Sequence, residues 1–325
     1  MCSISWSTRG CASRPPVRTE AAASGWWARF ADGDLAYSFR HSPSAIGAAV
    51  VALACMFCAV FAGSVAPHDP FDLASLELAD SRLPPAWYDE GQAKYLLGTD
   101  DQGRDILSSL MYGSRISLAV GLASVLLSTL VGVSLGLVAG FVGDRTDAFI
   151  MRICDVMLSF PPILAALLID GIGRALFPGA HDTLAFAVLI VSISLTGWVQ
   201  YARTVRSGAI VERGKDYVLA ARLIGVSGLR IMRRHVLPNV MGPVLVLATI
   251  QVATAIIIEA TLSFLGVGVP PTSPSLGTLI RIGNDFLFSG EWWITIFPGA
   301  VLVLISLSIN LLGDWLRDAL NPRLR

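Results

Sequence analysis

Residues 116–143 read ISLAVGLASVLLSTLVGVSLGLVAGFVG, a run of twenty-eight residues without an ionisable side chain, opened by Arg115 and closed by Asp144. As an α-helix rising about 1.5 Å per residue it would reach about 40 Å, more than the roughly 30 Å hydrocarbon core of a bilayer. A stretch of this length and apolarity predicts a membrane span. Within it Gly132, Gly136 and Gly140 recur at every fourth position. That period sets three positions without side chains on one helical face and predicts close packing against a neighbouring helix.

Four further charge-free runs lie around this one, at 41–68, 183–202, 236–258 and 292–313. A sixth, 149–169, is interrupted by Arg152, Asp155 and the pair Pro161-Pro162, which would kink the helix or restart it. Over 325 residues 54% are apolar and 15% charged, too little polar surface to solvate a globule of that size. The fold class predicted is therefore all-α, a polytopic membrane helix bundle of six transmembrane helices embedded in a lipid bilayer. The first run is no cleaved leader, because its apolar core exceeds the roughly 7–15 residues of a signal sequence and its basic preamble is too long. Residues 1–40 read as a flexible cytoplasmic tail, 41–68 as the first span, and 69–113 as an extracytoplasmic loop.

Formal net charge is zero, which gives no indication of a nucleic-acid partner, so the electrostatic signal lies in distribution. With six spans and the N-terminus inside, eighteen Lys and Arg fall in cytoplasmic segments and six outside. The positive-inside rule then places both termini in the cytoplasm. The outer loop is acidic, with Asp69, Asp72, Glu77, Asp80, Asp89, Glu90, Asp100, Asp101 and Asp105. The five cysteines, Cys2, Cys11, Cys55, Cys58 and Cys154, avoid this loop and indicate no disulfide framework. The four histidines form no ligand pair at i, i+4, and no metal site is predicted.

The largest cytoplasmic loop, about 203–238, is amphipathic. Tyr217, Ala220, Ala221 and Ile224 stand at helical spacing and Gly225 breaks the run. Ser227 can cap a second short helix through Leu229, Ile231, Met232 and His235, which Pro238 ends. Such a helix–turn–helix knob, ringed by Arg222, Arg230, Arg233 and Arg234, suits insertion into a partner's groove or adsorption on anionic lipid. Composition leaves the two readings even.

The residues themselves decide between them. Ala220-Ala221, then Gly225, then Leu237-Pro238 stand at the offsets of the EAA loop of ABC importer permeases, with Leu219 in place of the family's Glu and His235 in place of its Ile. Elsewhere Leu97 to Asp105, Tyr112 to Leu118, Phe160-Pro161-Pro162, Glu259 to Gly266 and Asn310 to Pro322 resemble segments of dipeptide, oligopeptide and nickel permeases of the "C" type. Together these cover most of residues 95–323 and imply an ABC importer type I permease fold. The permease domain would run over 114–313, with a cytoplasmic tail at 314–325.

The resemblance implies a non-catalytic subunit of the bacterial inner membrane. It forms half a pore with a homologous second permease, is loaded by an extracytoplasmic substrate-binding protein, and is driven by two cytoplasmic ATPase subunits. No Gly-x4-Gly-Lys-Ser/Thr occurs, so ATP and Mg would sit on those partners and this chain would bind no cofactor. Ala220, Ala221, Gly225, Leu237 and Pro238 would be its coupling residues. The implied cargo is a short peptide, with nickel or another small solute as the alternative within the family. An ion-gradient-driven secondary transporter is the alternative from another class, for which Glu259 and Asp155 are the ionisable residues available.

Three polar features need separate readings. The segment Gly98, Thr99, Asp100, Gly103, Arg104, Asp105 is read, by the family resemblance, as a loop turn packed under the binding protein rather than a metal site. Glu259 and Asn310 lie in spans, where Glu259 is expected to bond across helices or contact substrate and Asn310 to join helices. Asp155 is expected to pair with Arg152 at i, i+3.

Overall fold

The computed structural model describes residues 34–72, 78–176, 181–269 and 273–319. The tail before residue 34, Cys2, Cys11, Glu77 and the end of the last motif from Leu320 lie outside the described residues. Every regular element among the described residues is helical: α1 (Asp34–Arg40), α2 (Pro43–Val60), α3 (Ala62–Val65), α4 (Ile106–Val142), α5 (Asp144–Ser159), α6 (Pro162–Leu176), α7 (His181–Arg213), α8 (Asp216–Leu223), α9 (Gly228–Ile231), α10 (Leu237–Phe264), α11 (Leu276–Asn284) and α12 (Trp293–Ala319), with short 3-10 turns and one π-helical turn. Five continuous stretches are long and apolar enough to cross a membrane, and α5 with α6 makes a sixth that is bent by 92°.

The bend is local chemistry. Ser159 ends α5 and Pro162 begins α6, so Phe160 and Pro161 form an extended joint where a helix would lose a backbone donor and clash with the preceding turn. Whether the bent pair re-enters or crosses follows from its neighbours. A Cβ added at Gly136 would lie 2.9 Å from Ala202 Cα, and one added at Gly140 would lie 2.7 Å from Ala209 Cβ. Contacts on α4 and α7 thus advance together, and the two helices run parallel. A chain that descends twice in the same direction must climb between, so α5 and α6 return it across the bilayer. Glu259 on α10 meets Ser117, and Ile256 meets Gly121, so α10 runs antiparallel to α4. Phe39 stacks edge-on against Trp315 at 5.1 Å, which brings the two described ends to one face.

The spans extend past their charge-free runs. α4 begins at Ile106, ten residues before its charge-free run and well inside the loop expected to last to residue 113, because Asp105 caps it by accepting from Ser108 N–H. Arg115 does not end the span. It donates to Ala59 O and Val60 O at 2.8 Å each, closing the carbonyl end of α2 with a cation. α7 runs on to Arg213 because its arginines find carboxylates on α5: Arg206 grips Asp147 with two donors, and Arg203 Nη2 lies 2.6 Å from Asp155. The expected Arg152–Asp155 pair is therefore replaced by one between helices, which ties the bent span to α7.

Most buried apolar residues fall into a cluster joining α4, α6, α7, α8 and α10, and a second joining α2, α4, α10, α11 and α12. Broad exposed apolar surfaces on α2 and α4, such as Leu53 at 65% and Leu126 at 70%, face outward as a lipid-exposed helix requires.

Candidate functional site

At one end of the bundle lies the glycine-rich acidic loop. Gly98 and Gly103 carry φ of +84° and +77°, a left-handed conformation that L side chains avoid, and a Cβ at Gly98 would sit 2.5 Å from Leu83 O. These turns let the segment fold on itself, with Thr99 bridged to Asp105. Asp100 accepts from Arg104 N–H at 2.8 Å, Gln102 N–H at 2.9 Å and Arg104 Nε at 2.8 Å. Thr99 accepts from Leu83 N–H through its hydroxyl, and Trp293 Nε1 donates to its carbonyl at 3.3 Å. Thr99, Asp100, Arg104 and Asp105 are all buried, so these side chains build the loop rather than present it. Burial pushes the Asp100 carboxyl above its ordinary value, with Arg104 and the backbone donors pulling the other way. Arg104→Ala leaves that carboxylate without its guanidinium and is expected to cost about 3–5 kcal/mol locally. Limited proteolysis should then cut between residues 78 and 105 in the variant and not in the wild type.

Below this loop Glu259 is fully buried. Ser117 Oγ and Ser263 Oγ each donate to it at 2.7 Å, and Ser117 Oγ in turn accepts from Leu276 N–H at 3.3 Å. One carboxylate thus fastens α4 and α10 to the first residue of α11. Asn310 is half-buried on α12 and makes no side-chain hydrogen bond among the described residues. Asp170 on α6 is a further buried carboxylate that the charge-free runs passed over.

The opposite end carries α8, α9 and their joint, which we call the elbow. Gly225 has φ +81° with nothing near its would-be Cβ, so it turns the chain after α8 at no steric cost. Ser227 occupies the N-cap of α9 without a side-chain bond. Pro238 does not end that helix: the chain passes through a π-helical turn, Met232–Val236, and Leu237-Pro238 opens α10. Residues 231–237 stay helical and Leu237 N–H still bonds to Met232 O, so Pro238 sits in a continuous helical run whose wider π turn accommodates the missing donor and the ring.

The elbow's root is pinned. Tyr217 OH donates to Glu212, Lys215 Nζ donates to Glu212 at 2.6 Å, and Asn239 Nδ2 donates to Tyr217 OH at 3.1 Å. Burial, then Glu212, pushes the Tyr217 hydroxyl above its ordinary value. Arg222 lies over the Phe141 ring at 4.8 Å. Val218, Ala221 and Ile231 are buried in the chain's own core and Leu237 packs partly against it. Ala221 therefore faces inward and cannot touch a partner. Ala220, Gly225 and Pro238 are exposed. Beside them Leu223 is 88% exposed and Ile224 80%. Leu223 was missed in the sequence reading because it falls outside the helical spacing taken as apolar.

A third feature lies in the bundle's flank: a cavity of about 130 Å³ between α4, α7, α10 and the α5–α6 joint, lined among others by Ser124, Gln200, Tyr201, Gln251 and Thr254. None of these was singled out in the sequence, although Gln251 is conspicuous inside a charge-free run.

A parallel-and-antiparallel six-crossing bundle with a buried loop at one end and a protruding apolar elbow at the other defines a multi-pass permease architecture. Residues 132–325 match the family model described as the binding-protein-dependent transport system inner membrane component. The chain is 43% identical over 289 residues to the di/tripeptide transport system permease protein DppC of Pseudomonas aeruginosa, covering 89% of this chain and 91% of that one. It is 40% identical over 288 residues to the dipeptide transport system permease protein DppC of Escherichia coli K12, covering 88% and 91%. An inward-facing MetNI methionine ABC transporter structure superposes with a TM-score of 0.53 at 19% identity, covering 66% of this chain and 96% of that one, a likeness of fold. The chain belongs to the binding-protein-dependent transport system inner membrane component family and is the permease component of an ABC importer.

Proposed function

We propose that this chain forms half of the pore of a peptide importer, paired with a homologous permease, and that its elbow receives the stroke of a cytoplasmic ATPase. The observation that carries the coupling role is the exposed apolar tip, Leu223 and Ile224, on a helical turn whose root is held by buried contacts. Apolar surface on a braced projection outside the bundle suits a groove in a partner protein. Ala220 and Gly225 give that partner close approach, while Ala221, Leu237 and Pro238 support the elbow from its base.

Peptide as cargo rests on the relatives, two of which carry dipeptide or di/tripeptide transport in their names at 40–43% identity. Both termini and the elbow lie in the cytoplasm on this reading, supported by the excess of Lys and Arg in the segments that share that face. The permease unit spans about 114–313, preceded by one additional crossing and by the acidic loop, whose outward surface would meet a substrate-binding protein. ATP and Mg would be held by two ATPase subunits, and hydrolysis there would rock the two bundles between outward and inward states.

The test is uptake of radiolabelled dialanine by proteoliposomes holding the complete transporter. ATP-dependent accumulation that requires the binding protein is expected. Uptake of nickel in place of peptide would overturn the cargo assignment. Accumulation that ignores ATP and collapses with the proton gradient would overturn the ATPase-driven mechanism.

A further inference from the structure

We propose that the cavity between α4, α7 and α10 is a contact point for the transported molecule, and that it takes an uncharged amide, the peptide bond itself, through Gln251, Gln200, Ser124 and Tyr201. The inference rests on the peptide reading above and adds to it where, and by what chemistry, the cargo is felt.

The first observation is polar chemistry at membrane depth that the protein leaves unspent. The Ser124 side chain is fully buried and lines the cavity, yet its hydroxyl has no hydrogen-bond partner among the described residues, while the equally buried Tyr201 hydroxyl meets the Thr129 hydroxyl. An unpaired buried hydroxyl costs about 1–3 kcal/mol, and in a bilayer core no lipid group offers a partner. Three other hydroxyls that line the cavity are accounted for: Thr196 donates to Ile193 O, Thr254 to Ile250 O, and Ser128 to Ser194 O. Among the hydroxyls that line the cavity, Ser124 is the one left without a partner among the described residues.

The second observation is the pair of amides. Gln251 is 9% exposed and Gln200 stands at the open rim, and no described hydrogen bond engages either side chain. Gln251 reaches the would-be Cβ of Gly197 at 4.0 Å, where the absence of a side chain keeps the cavity open between α7 and α10. A primary amide offers donor and acceptor side by side, the complement of a peptide bond, which also carries one of each. Hydroxyls that both donate and accept extend the match to either orientation.

The third observation is the lining's charge. No Asp, Glu, Lys, Arg or His borders the cavity, and the remaining wall, including Val125, Ile193 and Ile258, is apolar. A site for a peptide's charged termini, or for a hydrated divalent cation, would need counter-charges or several oxygen ligands. A neutral, mixed wall suits the part of a short peptide that all sequences share, so contact there would be tolerant of side-chain identity. The volume, about 130 Å³, is many times the ~10–15 Å³ that one water needs, so the space admits more than a bridging solvent molecule.

The test uses the complete transporter in proteoliposomes, comparing dialanine with alanyl-lactate, the ester isostere that lacks the peptide N–H. The substitutions are Gln251→Leu and Ser124→Ala, with Leu126→Ala on the lipid-facing side of α4 as control. Wild type should prefer the amide. Gln251→Leu should lower dialanine uptake roughly tenfold, as loss of one hydrogen bond to a neutral group predicts. It should also bring the amide-to-ester ratio toward one, with the complex still recovered intact, and Ser124→Ala should move the ratio in the same direction by less. Because the same binding protein serves every variant, its own selectivity cancels from the comparison. Unchanged uptake and ratio in a peptide-transporting wild type would overturn the cavity assignment and leave the peptide reading standing. Failure of both variants to assemble would overturn it in favour of a subunit contact. A wild type that transports no peptide at all would instead remove the reading on which this inference rests.

Discussion

Gly136→Leu should eliminate folded permease from detergent extracts, seen as loss of the monodisperse peak of a fluorescent fusion on size exclusion, whereas Gly171→Ala should leave the peak unchanged. The α4–α7 contact is the most extensive between any two helices of the bundle, and at Gly136 it is backbone against backbone. A Cβ there would fall 2.9 Å from Ala202 Cα, and at Gly132 it would fall 2.5 Å from Tyr201 Cβ. Backbone cannot rotate away as a side-chain tip can, so the helices must separate. Even Gly136→Ala is expected to cost about 1–3 kcal/mol, and leucine more. The penalty is compounded in a membrane, where helix association depends on packing rather than on expulsion of water. Gly171 has nothing within 4 Å of its would-be Cβ, which makes it the matched control. Equal recovery of Gly136→Leu would mean that α4 and α7 do not meet along this face.

Leu223→Asp combined with Ile224→Asp should reduce capture of the ATPase subunits by roughly 100-fold in detergent pull-downs while leaving the permease folded. Full burial of a leucine or isoleucine contributes about 1.5–3 kcal/mol, and an aspartate forced into the same apolar groove adds a desolvation cost. Neither residue supports the chain's own core, since both are more than three-quarters exposed and the elbow is held by Val218, Ala221 and Ile231 beneath. Gly225→Leu acts differently. It adds bulk and forces an L side chain into φ +81°, at about 1–2 kcal/mol of strain, so it redirects α9 as well as obstructing the partner. Undiminished capture by both variants would remove the elbow from the coupling role. Labelling of a cysteine at position 223 from outside intact cells would do the same.

Much of this was open to reading along one dimension. The spans are set by apolar length against bilayer thickness, and Pro161-Pro162 marks the one span that breaks among the described residues. Gly225 marks the turn of the elbow because a left-handed φ is a local need. The order Gly132, Gly136, Gly140 names the face that packs, since helical period alone fixes which residues share it.

What a one-dimensional reading could not supply depends on how helices far apart in the chain are rotated against each other. Asp155 stands one turn from Arg152 and yet pairs with Arg203 on α7, because the 92° bend lays α5 across that helix. Ala221 and Leu223 are two residues apart on α8, and only the seat of that helix on the bundle sends one inward and the other to the surface. Ser124, Tyr201 and Gln251 come from three spans and share one cavity wall. Hydrophobic length is a property of each segment and so is written in it; which polar side chain meets which is a property of the packing between segments, and exists only once the bundle has closed.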